Sequence, residues 1–207
     1  MNSKIIGDIM TQDIVWAELI KIISSFNKDL IVKPPIFIIN KNNLRDILLE
    51  LKSVLRFTML TDLFAADFPQ ATKRFEVVYN LLSFEHNMRL ILKIQLTAEE
   101  SAPSVVPIFS VANWYEREIY DMFGVNFINH PNLERILTDY GFSGHPLRKD
   151  FPVTGYTQVK YDPDQEAVIY EPVNLEQEYR EFDFASSWKG PEKHFNKTLP
   201  GDEKASK

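Results

Sequence analysis

The chain has 207 residues, 44% hydrophobic and 25% charged, with a formal net charge of −6 and a pI near 5.3. That balance is ordinary for a globular protein, and the acidic excess argues against nucleic acid, which rewards a basic face. With no cysteine present, disulfides, zinc ribbons, thiol catalysis and cysteine-ligated iron–sulfur clusters are excluded for this chain.

The length suits one good core and a sizeable extension. No apolar run approaches the ~18 residues of a membrane-spanning helix; the longest candidate, residues 31–39, is broken by Lys33, Pro34 and Pro35. The N-terminal MNSKIIGDIMTQD has neither the basic lead and unbroken apolar core of a secretory signal nor the Arg-rich character of a transit peptide. The chain is therefore expected to stay where it is made.

Residues 1–109 are expected to form a compact α+β domain: a small, mostly antiparallel sheet packed against helices. Apolar positions at helical spacing predict one helix over residues 13–26, through Val15, Leu19, Ile22, Ile23 and Phe26, and a second over residues 44–55. Residues 36–39 read as a short buried strand and residues 63–67 as another, ended by the Phe68-Pro69 turn. Strict alternation then marks the two strongest strands, residues 75–81 and 88–96. The short connection between them suits a hairpin.

Residues 110–154 carry the most informative run, NWYEREIYDMFGVNFINHPNLERILTDYGFSGHPLRKDFP over residues 113–152. It holds eight aromatics, ten acidic or basic side chains, two of the four histidines and three of the seven glycines. Ser110 is the expected N-cap of a helix that buries Val111, Ala112, Tyr115, Ile119 and Met122, with Gly124 as its left-handed C-cap. Glu118 falls at the edge of that apolar arc, and Arg117 and Asp121 stand i, i+4, so they can pair with each other. Pro131 suits the first position of a second short helix with Leu133, Ile136 and Leu137 as its stripe. The two X-Pro steps of GHPLRKDFP hold the segment after it extended.

This is dense recognition chemistry without a nucleophile set beside a base. His130 and His145 are 15 residues apart in sequence, have no cysteine and no HExxH spacing to complete a metal site, and each precedes proline, which favours turn roles. Ser143 has no His and Asp context for a hydrolase triad. Arg148, Lys149 and Asp150, flanked by Leu147 and Phe151, have the composition of an interface: Arg offers a planar fork, and aromatics supply anchors. The candidate partner-facing set is Trp114, Glu116, Arg117, Glu118, Asp121, His130, Arg135, Asp139, Tyr140, His145, Arg148, Lys149, Asp150 and Phe151. No catalytic, cofactor-binding or metal residue is expected.

Residues 155–188 have scattered aromatics among acids and too few aliphatics for a core, so an extended partner-wrapping arm is expected. Residues 189–207 are polar and proline-punctuated, which makes disorder the expectation.

The run at 113–152 resembles the family signature of the 30 kDa subunit of respiratory complex I, NADH:ubiquinone oxidoreductase. RFEVVYNLLS at residues 74–83 and YREFDFASSW at residues 179–188 look like that family's other recognisable stretches. The resemblance implies an accessory, structural subunit of the hydrophilic arm with no redox centre of its own. It also implies docking onto the 49 kDa-type subunit and the quinone-module iron–sulfur subunit, in a complex that uses FMN, iron–sulfur clusters, NADH and ubiquinone. The abundance of Ile, Lys, Phe and Asn over Arg and Gly suits an AT-rich coding genome. The expected location is therefore the matrix side of the mitochondrial inner membrane, with the cytoplasmic face of a bacterial inner membrane as the alternative. Competing readings are the equivalent subunit of a chloroplast-type NDH complex or membrane-bound hydrogenase, and a stand-alone metal-dependent hydrolase.

Overall fold

In the computed structural model, residues 12–26, 31–33 and 35–177 are described. The chain divides into two units, Met1–Gly155 and Tyr156–Lys207.

The first unit is built on a five-stranded sheet. Its strands are β1 (Ile31–Lys33), β2 (Ile36–Ile38), β3 (Met59–Asp67), β4 (Phe75–Ser83) and β5 (Met88–Leu96), in the order β1-β2-β5-β4-β3. All neighbours are antiparallel except β2 and β5. The alternation read from the sequence decides which face is covered. Phe75, Val77, Tyr79 and Leu81 of β4 lie opposite Leu96, Ile94, Leu92 and Leu90 of β5, and all are buried. On the outward face Glu76 accepts hydrogen bonds from Lys93 Nζ at 3.1 Å and Gln95 Nε2 at 2.8 Å. β3 reaches further back than the expected 63–67 because a register shift between Leu60 and Asp62 inserts one residue, letting both Leu60 and Leu63 turn inward.

Two helices, α1 (Gln12–Phe26) and α2 (Leu44–Ser53), complete the core with Val15, Leu19 and Ile23 from the first and Leu44, Ile47, Leu48 and Leu51 from the second. Trp16 stacks on Phe37 of β2 with ring centroids 6.3 Å apart. The fold is the expected α+β class, with the expected hairpin between β4 and β5 closed by Asn87 at positive φ.

Helix α3 (Ala112–Phe123) lies between two short strands that pair in parallel, β6 (Ala102–Pro103) and β7 (Phe127–Ile128). Its buried stripe is Ala112, Glu116, Ile119 and Met122. The stripe is rotated from the expected one: Val111 is exposed and a carboxylate occupies the centre. Ser110 does not cap the helix with its side chain, but Gly124 is the left-handed cap, at φ 74°. No helix forms from Pro131; residues 129–155 are turns and bends. Among the described residues no helix is long and apolar enough to cross a membrane.

The second unit, over its described residues, is a hairpin of β8 (Thr157–Asp162) and β9 (Ala167–Pro172). The arm expected here is thus folded back on itself as far as residue 172. Val159, Tyr161, Val168 and Tyr170 share one exposed face of it. The remainder of that arm and the tail, residues 178–207, lie outside the described residues.

Candidate functional site

A helix end leaves its last four carbonyls without intrahelical donors, and at α3 the following segment supplies them. Tyr120 O accepts the Gly124 N–H at 2.9 Å, and Met122 O accepts the Leu147 N–H at 3.1 Å. Asp121 O accepts from His145 Nδ1 at 3.0 Å, and Phe123 O from Arg148 Nε at 2.6 Å. Placing Arg148 at a helix C-terminus also sets a cation against the negative end of the dipole. Only a residue without a side chain fits at the crossing: a Cβ on Gly124 would press into Arg148 Nη2 and the His145 ring.

The carboxylate of Asp121 organises the segment that follows. Its Oδ2 accepts the successive N–H groups of Ile136, Leu137 and Thr138 at 3.0, 2.7 and 2.9 Å. Its Oδ1 accepts from Arg135 Nη1 at 2.7 Å and from the Thr138 hydroxyl. Backbone donors gathered on one anion form a nest. Those N–H groups are therefore unavailable to the helix that the Leu133, Ile136, Leu137 pattern predicts. Burial alone would raise the Asp121 carboxyl. Thr138, the N–H groups of Leu137 and Thr138, and Arg135 outweigh that and hold it far below the ordinary range. The expected Arg117–Asp121 pair does not form; Arg117 donates instead to Glu134 O at 3.0 Å and Arg135 O at 3.3 Å.

A second group of contacts fastens the distal part of the loop to the sheet. Asp67, at the end of β3, accepts a bidentate Arg74 pair at 2.7 and 2.9 Å and the Lys149 N–H at 2.8 Å. Arg74, whose hydrogen bond chiefly lowers the Asp67 pKa, also pairs with Asp150 at 2.9 Å. Arg74 and Arg148 both stand over the Phe75 ring, at 5.3 and 5.2 Å, and Phe151 packs on Phe142 at 5.9 Å.

The expected partner-facing set therefore divides. Arg117, His130, Arg135, His145 and Arg148 spend hydrogen bonds inside the chain, while Asp121 and Glu116 are 0% exposed. Surface docking does not describe Asp121 and Glu116 as they are placed. Lys149 holds the loop through its backbone, Asp150 through Arg74, and Phe151 through Phe142. Trp114 is 60% exposed and Tyr140 86%, and Glu118 and Asp139 are also exposed. Sequence reasoning missed Leu137, 62% exposed, and the exposed Leu147 and Val153. By pattern Leu137 and Leu147 are stripe and anchor residues of the loop, and nothing in their local sequence marks them as outward.

What fold and loop define together is an α+β domain that displays large apolar side chains on a non-helical segment locked by internal ion pairs. Residues 37–157 match the family model described as "Respiratory-chain NADH dehydrogenase, 30 Kd subunit", and the chain belongs to that family. It is 64% identical over 151 residues to a subunit of the NADH-quinone oxidoreductase of Rickettsia bellii, covering 73% of this chain and 75% of that protein. It is 56% identical over 156 residues to the protein of the same name from Ruegeria sp., covering 75% and 76%. Among solved structures it is similar to a chain of the membrane-bound sulfane sulfur reductase, an archaeal respiratory membrane complex. That match has a TM-score of 0.56 and 28% identity, over 66% of this chain and 85% of the other.

Proposed function

We propose that the chain is the docking subunit of a proton-pumping NADH:quinone oxidoreductase, binding the 49 kDa-type subunit and the quinone-module iron–sulfur subunit and carrying no redox centre itself. The observation that carries this reading is the locked loop. Leu137, Tyr140, Leu147 and Val153 are exposed on a segment that Asp121, Arg135 and Arg148 hold in one conformation. Exposed large apolar groups on a preordered loop lose little entropy on association, and aromatic residues lead the energetics of such contacts. The absence of cysteine leaves cluster ligation to neighbouring chains, along with FMN, NADH and ubiquinone binding. The bacterial relatives favour the cytoplasmic face of a bacterial inner membrane over the mitochondrial matrix. The sulfane sulfur reductase likeness supports a shared architecture, but its lower identity leaves an NADH-linked complex the better reading.

Native size exclusion with identification of co-purifying chains tests this. The chain is expected in a very large assembly with the 49 kDa-type subunit, and Leu137→Ser with Tyr140→Ser is expected to deplete it from that assembly without lowering its melting temperature. Elution of the wild-type chain alone near its own 24.1 kDa overturns the reading.

A further inference from the structure

Glu116 sits at the centre of the buried stripe of α3 with 0% exposure. Its Oε1 accepts the Val105 N–H at 2.7 Å, while its Oε2 has no hydrogen-bond partner. An ionised carboxylate so placed requires a cation or further donors, because a buried unpaired charge is strongly disfavoured.

The ionisable groups that face it among the described residues are His130, from the segment after β7, and Tyr79, from β4. His130 Nε2 lies 3.9 Å from Oε2, and its side chain is also 0% exposed. Its hydrogen bonds, however, define a neutral ring. Nδ1 accepts the Asn132 N–H at 3.1 Å, so the proton resides on Nε2, which donates to Asn113 O at 3.2 Å. Burial, with the nearby Arg117 charge, disfavours a second proton on that ring. Tyr79 Oη is buried without a partner, as is Asn113 Oδ1, one helical turn before Glu116. This end of α3 therefore has buried oxygens short of donors, and a protonated Glu116 adds one.

We propose that Glu116 is a buried proton site: its carboxyl is neutral in the folded chain, and ionising it loosens α3 from the sheet and from residues 104–105. Burial raises the group from 4.5 to about 7, against opposing hydrogen bonds from Val105 and Ser104, which agrees with the geometry. The folded state then binds the proton more tightly than the unfolded state. Its contribution is fully present below pH 4.5 and is lost as pH rises to about 7. His130 and His145, held low mainly by burial, act in the opposite sense, costing stability as pH falls below 6.5. The wild-type curve is thus composite, and the difference from a neutral variant isolates Glu116.

The experiment is chemical denaturation of the full 207-residue chain and of Glu116→Gln from pH 4.5 to 8. The folding constant of wild type relative to Glu116→Gln is expected to fall roughly a hundredfold across that range, at up to tenfold per pH unit. A ratio that does not change with pH overturns the proposal. Carbon NMR of wild-type chain labelled at glutamate carboxyls decides the matter even where Glu116→Gln does not fold. One carboxyl titrating near 7 is expected, and all of them titrating within the ordinary range near 4.5 overturns it.

Discussion

The two ends of α3 bury one carboxylate each and treat them in opposite ways. Asp121, near the C-terminal end, is surrounded by three backbone N–H groups, a hydroxyl and Arg135, and it stays charged. Glu116, nearer the N-terminal end, has one backbone donor, an orphan oxygen and a neutral histidine, and holds its proton. Both are 0% exposed, so burial alone does not decide the charge. The supply of donors does. The charged end organises the loop that carries the exposed apolar side chains, whereas the neutral end belongs to the core.

The largest effect expected from breaking this contrast is at Asp121. Asp121→Ala strands Arg135 and the N–H groups of residues 136–138 together, and removing one partner of a buried pair costs about 3–5 kcal/mol. Urea denaturation of the isolated chain measures it; a loss below about 1 kcal/mol would mean that the loop holds without its anion. The pH signature sharpens the comparison. Asp121 is lowered from 3.8, so its contribution is present above that pH and is lost as pH falls below it. Asp121→Asn should flatten the acid side of the stability curve, and Glu116→Gln the side above pH 4.5. If the two variants flatten the same limb, the contrast between the ends of α3 fails.

Arg148 comes next. Its Nε donates to the end of α3 and its guanidinium covers Phe75, so Arg148→Ala should destabilise the isolated chain by about 2 kcal/mol, the range for a charge-assisted hydrogen bond. Arg148→Lys should recover only part of this, since an ammonium does not reproduce the fork. Unchanged stability with lost assembly would instead assign the arginine to a partner. Gly124→Ala forces a side chain into left-handed backbone at φ 74° and against Arg148, for about 1–2 kcal/mol. Its cost should shrink in the Arg148→Ala background, because the two share one contact.

The same helix also marks how far the sequence can be read. Strands β4 and β5 are legible because period-two alternation is a local property: Met88, Leu90, Leu92, Ile94 and Leu96 are all buried. Gly124 is legible because a left-handed cap is what places glycine there. Glu116 is not, since an angular reading of α3 centred on Tyr115 puts no carboxylate in the middle of the arc, and the true stripe is one residue's rotation away. The nest on Asp121 is beyond sequence reasoning altogether. It joins residues 15–17 positions apart and overrides a helical pattern that is sound locally. The β8–β9 hairpin leaves a readable signal, Val159 and Tyr161 against Val168 and Tyr170, but the shortage of aliphatics for a core points the other way and hides it.

The smallest effect on the fold belongs to Trp114, and it separates docking from folding. Trp114 is 60% exposed on the face of α3 away from the stripe, and its ring stands against Arg117, 5.3 Å away. An exposed cation–π contact contributes about 0.5–1 kcal/mol, so Trp114→Ala should lower the stability of the isolated chain by no more than that. A tryptophan left so open loses far more apolar surface to water than this contact recovers, and a partner that covers it would gain the difference. Incorporation into the assembly should therefore fall well beyond what the stability loss explains. Trp114→Phe, which keeps a large apolar ring, should restore most of it. A loss of monomer stability above about 2 kcal/mol would place the ring among the groups holding α3 and its loop together. Unchanged incorporation would remove it from the docking surface, leaving Leu137, Tyr140, Leu147 and Val153 to carry that role.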